Sequence, residues 1–451
     1  MDTKVVEKCE ISPSDGGGAE QSLPLIYLDV AWLLTHHMRI LNFYSFPSSK
    51  QLFFNTILPN LKNSLSLALK HFLPLAGKIV FPLNSGMPIS RYASGQDSVS
   101  LTVSISHSDF FLLTGNHPKN ADVFYNFIPE IPPAVYSSDS ITFPVMALQI
   151  TLFPNQGICI GVATHHAIAD GAAIICFLQT WASINKFQGD EHLLALGQKA
   201  LPVYDRSAVE GSSRLTPRIW EMVKNSKPTV TSTVSFPTHK LRETFFLSDQ
   251  EIAELKKLVR LRKPGLAHVS SFAVTCARVW SCMAAAAGDA VGDDELEYLS
   301  MPVDCRARLR PPLPSTYFGN CLVLVLAECA HGRLKGSEGL VAAAEAIGEA
   351  IEEILSNEKG ILDGSIVRYL KYMEAKRVVG VSGSLRFDMC GIDYGWGGMK
   401  KMEALHIDVS GSISLFKTRD GVEVGLSMPK LNIDAFASLF SLNIHHTLAN
   451  L

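Results

Sequence analysis

Two apolar runs near the middle of the chain, separated by a short polar segment, give its clearest pattern. Residues 145–152 and 157–163 are rich in Ile, Val and Leu, and Pro154-Asn155-Gln156-Gly157 joins them. Apolar β-branched residues on both sides of turn-forming residues predict a β-hairpin. A third apolar run, 172–178, predicts the first turns of a helix. The intervening residues 165–171 therefore lie where a strand ends and a helix begins.

The rest of the first half is less regular. Residues 1–22 are mostly polar and include three consecutive glycines, so we predict a loose leader. Residues 49–71 have helical spacing, and Pro59 makes two shorter helices as good a prediction as one. Residues 98–105 alternate with period two, which predicts a half-buried strand. Pro and Asp clusters in 115–140 indicate a loop.

The second half begins after a stretch without periodicity. Residues 187–240 collect Gly, Ser and Pro, which is typical of a crossover between halves. Ser248 and Glu251 have capping-box spacing and predict a helix that ends at Arg262-Lys263-Pro264. Further patterns predict a helix over 270–288, a strand over 298–304, a strand from 320, a helix over 338–356, a hairpin over 403–428 and a helix over 433–442.

Mixed strands and helices in both halves predict an α/β (α+β) fold. A length of 451 residues exceeds what one core usually holds. We therefore predict a first domain over 1–190, a crossover linker over 191–240 and a second domain over 241–451. Part of 360–400 is expected to pack back on the first domain.

Composition narrows the class of protein. The chain carries 40 Lys+Arg against 43 Asp+Glu, a net charge of −3, and no basic run typical of a nucleic-acid surface. Its apolar runs are too short to span a membrane, and no apolar segment near the start resembles a secretion signal. Nine cysteines without a CxxC pair favour a reducing compartment and no metal site. We expect a cytoplasmic globular protein.

The strongest candidate chemistry lies in His165-His166-Ala-Ile-Ala-Asp170-Gly171. A histidine at the end of a strand can face a cavity and take a proton from an alcohol. A structural histidine that caps the strand is the alternative, because HxxxD spacing alone is common. Asp170 could pair with the His166 ring. We expect instead that the turn directs Asp170 towards a buried arginine, with Arg306 the candidate.

Two other segments leave alternatives open. Five positive charges fall within residues 256–263, which suits either the phosphates of a nucleotide-like ligand or an ordinary solvated helix face. Residues 391–398 are rich in glycine but match no phosphate-binding loop. We predict a tight, buried turn with a structural role.

Three motifs together resemble one family. His166-Ala-Ile-Ala-Asp170-Gly171, Tyr317-Phe-Gly-Asn320-Cys321 and Asp393-Tyr-Gly-Trp396-Gly397 are similar in sequence and order to the HxxxD, YFGNC and DFGWG motifs of the plant BAHD acyltransferases. The second motif resembles the subgroup that acylates anthocyanins and other phenolic glucosides. The chain departs from the pattern at Tyr394, usually Phe, and at Gly398-Met399, usually Arg-Pro.

The resemblance implies two similar-sized domains, each a mixed β-sheet flanked by helices, in a chloramphenicol acetyltransferase-like fold with a tunnel between them. It also implies a CoA thioester, with malonyl-CoA favoured, as co-substrate and no metal or resident cofactor. His166 would act as general base, and Asp170 would pair with Arg306. The remaining roles that it implies are oxyanion donation by Ser384 or Trp396, CoA binding by Lys263, Ser270 and Ser271, and structural support by Asp393, Gly395, Gly397, Tyr317 and Asn320.

The resulting hypothesis is a monomeric acyl-CoA-dependent O-acyltransferase that malonylates a sugar hydroxyl of a flavonoid, anthocyanin or other phenolic glucoside. Its partners would be small molecules, with neither nucleic acid nor membrane involved. One alternative keeps the acceptor and uses a hydroxycinnamoyl-CoA donor. Less favoured alternatives are a protein like a peptide-synthetase condensation domain and a non-catalytic CoA-binding protein.

Overall fold

A computed structural model describes residues 3–14, 20–196, 201–209, 211–230, 236–357, 360–389 and 391–441. The glycines at 16–18, assigned above to a loose leader, lie outside these residues, and so does residue 442 of the last predicted helix. The strands are β1 (Thr3–Ile11), β2 (Gln21–Pro24), β3 (Met38–Ser45), β4 (Lys78–Pro82), β5 (Ile89–Tyr92), β6 (Val99–Ser106), β7 (Lys119–Asn120), β8 (Val135–Tyr136), β9 (Ser140–Pro144), β10 (Met146–Phe153), β11 (Gly157–Thr164), β12 (Lys240–Ser248), β13 (Leu296–Asp304), β14 (Leu322–Ala330), β15 (Val378–Ser382), β16 (Lys401–Ala404), β17 (Ile413–Lys417) and β18 (Gly421–Pro429).

The described residues also form fifteen α-helices. They are α1 (Tyr27–Val30), α2 (Lys50–Leu52), α3 (Leu58–His71), α4 (Leu73–Ala76), α5 (Phe110–Thr114), α6 (Gly171–Phe187), α7 (Glu191–Leu196), α8 (Ser212–Val223), α9 (Asp249–Arg262), α10 (Ser271–Ala287), α11 (His331–Lys335), α12 (Gly339–Leu355), α13 (Ser365–Glu374), α14 (Ile407–Ser410) and α15 (Lys430–Phe440). A 3-10 turn, Ala31–Leu34, follows α1 directly.

The strands of the described residues form three sheets. A six-stranded sheet has the order β1-β6-β10-β11-β3-β16, and a five-stranded sheet has the order β2-β5-β4-β9-β8. A seven-stranded sheet in the second half has the order β14-β13-β15-β17-β18-β12-β7. The predicted α/β (α+β) class is therefore confirmed, with helices such as α12 and α13 packed on β14 of the second half.

The predicted central hairpin is confirmed. β10 and β11 pair antiparallel from Met146–Thr164 to Phe153–Gly157, and every residue of both strands is buried. Full burial explains why both strands are continuous apolar runs, since each has a covered layer on both faces. α6 begins seven residues after β11 ends, so residues 165–170 form a short connection held by two rigid elements.

Each half contributes one strand to the sheet of the other. β16 comes late in the chain but pairs with β3 at the edge of the six-stranded sheet. β7, from the first half, pairs with β12 at the edge of the seven-stranded sheet. The domain division at 190 and 241 remains a prediction. β16 of the second half joins a first-half sheet, and β7 of the first half joins the second-half sheet.

Capping residues fix where several helices begin. The predicted capping box of α9 is confirmed, because Ser248 and Glu251 each accept from the other's backbone N–H. Asp170 caps α6 by accepting from the Ala173 amide, and Ser270 caps α10 by accepting from the Ala273 amide. Two of these capping residues, Asp170 and Ser270, are also site candidates from the sequence.

Several predicted elements are wrong in ways that have physical causes. Residues 3–11 form β1 rather than a loose leader, and Lys4, Lys8 and Glu10 are exposed on it, as charged residues commonly are on an edge strand. The predicted crossover contains α7 and α8, and α8 was missed because Pro217 interrupts an otherwise amphipathic pattern. Residues 403–404 belong to β16, so the hairpin is shorter than predicted and joins β17 to β18. Of the two readings left open for 49–71, one continuous helical segment is observed: a π-helical stretch, Phe53–Ile57, joins α2 to α3 directly before Pro59, so Pro59 does not divide it.

Candidate active site

His166 lies in the turn after β11 and lines a cavity of about 1570 Å³. The cavity walls come from both halves of the chain, with Met38 and Ile175 from the first and Leu322 and Val381 from the second. The imidazole is half-buried rather than sealed among packed side chains. The structure therefore places this ring where a ligand in the cavity can reach it.

A single asparagine orients the His166 ring. The Nδ2 amide of Asn320 donates to the Asp29 carboxylate at 2.9 Å and to the His166 carbonyl oxygen at 2.9 Å. Because both partners are acceptors, the Asn320 amide oxygen must face the ring, and it lies 3.1 Å from Nδ1. Nδ1 therefore carries the proton and donates it to Asn320. This leaves the lone pair of Nε2 available as a base.

A tryptophan that sequence reasoning did not single out covers one face of the ring. Trp32 stacks on His166 with ring centroids 3.8 Å apart and planes 8° from parallel. It comes from the 3-10 turn after α1, and an aromatic residue in an apolar stretch gave no signal of this contact. The stacking fixes the plane of the imidazole, as Asn320 fixes its rotation.

Burial lowers the pKa of His166 below its usual value, because charging the ring inside the protein costs solvation free energy. The charge of Asp170 and the hydrogen bond to Asn320 oppose this shift. The net lowering of the His166 pKa keeps the ring neutral at physiological pH. A neutral ring is the form that can accept a proton.

The neighbouring His165 has a different environment. Its ring is buried, with Nδ1 accepting from the Ala167 amide at 3.1 Å and Nε2 donating to the Thr229 carbonyl at 3.1 Å. Burial lowers the pKa of His165 to about 4, so it stays neutral. His165 therefore holds the turn, while His166 faces the cavity.

Asp170 points away from the His166 ring, and the expected ion pair with Arg306 is present. The guanidinium donates to both carboxylate oxygens, at 2.9 and 3.0 Å, and the Cys321 amide donates to the same carboxylate at 3.0 Å. With the cap of α6 added, both oxygens of Asp170 are occupied. Asp170 anchors the turn instead of completing a triad.

A second buried ion pair supports the same region. The Arg206 guanidinium lies 3.7 Å from Asp29 and donates to the Tyr317 hydroxyl at 2.8 Å. The Tyr317 carbonyl in turn accepts from Arg306. Sequence reasoning assigned Tyr317 and Asn320 a structural role, and the structure shows that Asn320 also contacts the candidate base.

The glycine-rich segment 391–398 is a turn that packs on the first half. Asp393 accepts from the Gly395 and Gly397 amides at 2.8 and 2.9 Å and pairs with Lys186 of α6. Burial alone would raise the pKa of Asp393, but these hydrogen bonds outweigh it and lower it. The Trp396 ring stacks on Phe46, outside the residues that line the cavity. The structure therefore does not bring Trp396 to the position that an oxyanion donor needs.

The other predicted ligand-binding residues divide into two groups. Ser270, Ser271 and Ser384 line the cavity, with the two adjacent serines at the N-terminus of α10. Lys263 instead extends to Glu345 at 2.5 Å and lies outside the cavity lining. The described residues contain no group of three or more His, Cys, Asp or Glu side chains that could hold a metal ion.

Comparisons with known proteins match nearly the whole length of the chain. The model of the Transferase family matches residues 2–443. Phenolic glucoside malonyltransferase 1 of Nicotiana tabacum is 43% identical, covering 91% of each chain. Coumaroyl-CoA:anthocyanidin 3-O-glucoside-6''-O-coumaroyltransferase 2 of Arabidopsis thaliana is 33% identical, covering 98% of this chain and 97% of its own.

The solved structures agree on the fold. The crystal structure of vinorine synthase superposes with a TM-score of 0.72 at 19% identity, covering 97% of this chain and 98% of that one. The two-domain arrangement that the motifs implied is therefore confirmed. The chain belongs to the Transferase family, as a BAHD-type acyl-CoA-dependent acyltransferase.

Proposed function

We propose that this enzyme transfers a malonyl group from malonyl-CoA to a sugar hydroxyl of a phenolic glucoside, such as a flavonoid or anthocyanin glucoside. The observation that carries the proposal is the His166 ring, whose Nε2 is left free by Asn320 in a cavity between the two halves. The relatives at 43% and 33% identity both act on glucosides of phenolic compounds, by their names.

In the proposed reaction His166 Nε2 takes the proton of the acceptor hydroxyl as its oxygen attacks the thioester carbonyl carbon. The carbonyl electrons move to the oxygen and form a tetrahedral oxyanion. Collapse of this intermediate restores the C=O bond, breaks the C–S bond and releases CoA, whose thiolate takes the proton from the imidazolium. A positioned base contributes about 10²–10⁴ in rate to such a step.

The CoA thioester is a co-substrate, and we propose that it enters along α10. This helix has 17 residues, and its N-terminus carries Ser270 and Ser271 on the cavity wall. Free amides at a helix N-terminus attract phosphate and other anionic groups. Lys263 would have to leave Glu345 to reach a CoA phosphate.

A malonyl donor carries a carboxylate, which favours a cation inside the cavity. Arg308 and Arg386 both line the cavity, and the Arg386 side chain is exposed to solvent. Replacing Arg308 or Arg386 by Gln is expected to raise KM for malonyl-CoA and to leave KM for acetyl-CoA, which lacks the carboxylate, unchanged. Steady-state kinetics with both donors for each variant show which arginine acts.

A hydroxycinnamoyl-CoA donor is the second candidate. The 33% identical relative is named as a coumaroyltransferase, and apolar side chains such as Ile351 and Leu355 also line the cavity. An aromatic acyl group needs apolar volume of this kind and no cation. Donor preference therefore distinguishes the two candidates.

The deciding experiment is a donor panel. Malonyl-, acetyl- and coumaroyl-CoA are each incubated with several flavonoid glucosides, and the products are identified by mass. Malonylated glucoside as the main product is expected. Coumaroylated product alone would replace the malonyl assignment, and no product with any donor would contradict the proposal. His166→Ala should still bind acyl-CoA but lose turnover, whereas a binding protein would show no turnover even in the wild type.

We further propose that the enzyme works as a monomer in the cytoplasm. The eight cysteines among the described residues are free thiols, as a reducing compartment maintains them. No helix among the described residues is long and apolar enough to cross a membrane. Sedimentation at working concentration and imaging of a tagged chain test the two parts of this proposal.

A further inference from the structure

Trp32 covers a ring that must carry a positive charge during the proposed reaction. The indole and the His166 imidazole have centroids 3.8 Å apart and planes 8° from parallel. The indole is half-buried and also lines the cavity. When Nε2 takes a proton from the acceptor, the imidazole therefore becomes a cation that lies over the face of this tryptophan.

The segment that carries Trp32 is tied to the two histidines at both of its ends. Before Trp32, the buried Asp29 carboxylate accepts from the side-chain amide of Asn320, which also contacts the candidate base. After Trp32, the Leu33 carbonyl accepts from the Thr229 amide at 2.8 Å, and the Thr229 carbonyl in turn meets the ring of the first histidine at 3.1 Å. The stacked geometry is therefore held before any substrate binds.

The titratable groups around His166 supply little charge to its ring. Asp170 points away, and Arg306 and two backbone amides occupy its oxygens. His406, between β16 and α14, lines the same cavity. Burial lowers the pKa of His406 and of His165 to about 4, so both are neutral near pH 7.

The other side of the ring is also neutral. Nδ1 meets the uncharged amide of Asn320, and Asp29 lies behind that amide, with Arg206 3.7 Å away from its carboxylate. Among the described residues, no carboxylate contacts the His166 ring. The surface that lies closest to the developing positive charge is therefore the indole of Trp32.

We propose that Trp32 stabilises the imidazolium form of His166 through a cation–π interaction and thereby assists the proton transfer. The inference rests on the proposed acyl transfer. The proton leaves the acceptor hydroxyl and binds Nε2, and the ring becomes positive over the indole. The interaction ends when the departing CoA thiolate takes the proton. Tryptophan has the most favourable π face of the aromatic side chains, and a cation within about 6 Å of its centroid is attracted to it.

The direct test changes the electron density of the indole and keeps its shape. Mono-, di- and trifluorotryptophan are incorporated at position 32 alone, because each fluorine withdraws electron density from the face of the ring. In a donor–acceptor pair that the wild type turns over, kcat should fall stepwise along the series, to about three- to tenfold below the wild type, with KM for acyl-CoA within about threefold. A tryptophan that only packs against the imidazole would give no such gradient.

Trp396 provides the matched control. Its ring stacks on Phe46 with centroids 5.5 Å apart and planes 28° from parallel, and it lies outside the cavity lining. Phe46 carries no charge at any step of the reaction. The same fluorinated series at position 396 should leave kcat unchanged. An equal decline in both series would show that fluorine acts through packing, and would overturn the proposal.

The second readout is the pKa of His166 itself, followed by NMR in protein with ¹³C-labelled histidine. Its signal is identified by its absence in His166→Ala. Along the fluorinated series at position 32 this pKa should fall stepwise by about 0.5–1 unit in total, because the charged form loses its π partner. The acid limb of the kcat/KM profile should move with it. Trp32→Phe, which has a weaker face, should shift kcat and the pKa in the same direction, and thermal unfolding of each protein checks its fold.

Two further results would overturn the proposal. They are a kcat independent of the number of fluorines at position 32, and a His166 pKa that stays constant along the same series. The titration needs no turnover, so it tests the contact between Trp32 and His166 by itself. A wild type without transfer to any acceptor would instead contradict the proposed function.

Discussion

At the scale of single residues, the chemistry depends on the tautomer of one imidazole. Asn320 is buried, and its contacts with Asp29 and with the His166 carbonyl leave its amide oxygen in one orientation only. The ring proton is thereby kept on Nδ1. Nε2, the nitrogen that would meet the acceptor in the proposed reaction, is then the unprotonated one.

Replacing Asn320 is therefore expected to lower kcat more than it changes KM. Asn320→Ala removes the acceptor for Nδ1–H, so the wrong tautomer becomes populated, and we expect kcat to fall roughly 10–100-fold, less than the 10²–10⁴ that a positioned base contributes in full. Steady-state kinetics check this. A change confined to KM would show that Asn320 affects binding and not the base.

The pH dependence of the wild type follows from the direction of the His166 shift. The base is active when neutral, so kcat/KM should fall as pH drops through the pKa of the folded enzyme. Because burial lowers that pKa, the inflection should lie below 6.5, the usual value for histidine. A rate profile from pH 4.5 to 8.5, with folding checked at each pH, measures it. An inflection at or above 6.5 would contradict the environment described here.

Replacing Asp170 tests whether this residue anchors the turn or acts on His166 as a triad member. Asp170→Asn removes the buried ionic partner of Arg306 and leaves only exposed Asp304 at 3.2 Å, and breaking such a buried pair typically costs about 3–5 kcal/mol of unfolding free energy. Urea unfolding measures this loss. Asp289→Asn, which breaks an exposed pair with Lys335, is the control and should leave stability unchanged. Lost activity with unchanged stability would mean that Asp170 acts on His166 after all.

At the scale of helices and strands, two N-cap serines allow an effect on stability to be distinguished from an effect on substrate binding. Ser248 caps α9 at the surface, whereas Ser270 caps α10 and also lines the cavity. Each Ser→Ala substitution should cost about 1 kcal/mol of unfolding free energy, since each leaves one backbone N–H unpaired. Ser270→Ala alone should also raise KM for acyl-CoA. Equal kinetics for the two variants would place the CoA elsewhere.

The helices and strands also show how much of the fold could be predicted from the sequence. The β10–β11 hairpin and the α9 capping box were predictable because their signals are local: full burial gives an apolar run, and a cap has fixed spacing. β1 was missed because an edge strand exposes its charges, and α8 because Pro217 hides its buried stripe. Local patterns do not record which strand lies at an edge.

The site shows the same limit. His166 and the Asp170–Arg306 pair were predictable from motifs that lie at strand ends. Trp32 and His406 were not, because both reach the cavity through pairings between residues far apart in the chain, and neither has a spacing that marks it. Lys263 fits a phosphate-binding role by charge alone, yet Glu345 occupies it.

At the scale of the whole molecule, a buried charge cluster links the seven-stranded sheet to β16 of the six-stranded sheet. Arg242 of β12 donates to Glu403 of β16 at 3.0 Å and also to Asp408, and all three side chains are buried. Arg242→Gln should therefore cost about 3–5 kcal/mol, because two carboxylates lose their cation. We expect a single unfolding transition at lower urea concentration. Two transitions, with one at the wild-type position, would mean that the halves unfold independently.

The strand that the second half lends to the first has a practical consequence for protein engineering. A chimera that joins residues 1–240 of this enzyme to the remainder of a relative would receive a foreign β16 against its own β3. Backbone pairing would survive the exchange, but the relative's side chains at positions 401, 403 and 408 would meet Asn116, Lys119 and Tyr125, which in this chain contact Lys401, Glu403 and Asp408. Recombination intended to transplant donor or acceptor preference should therefore move residues 401–408 together with the first half, and also positions 242 and 423, whose side chains pair with Glu403 and Lys401.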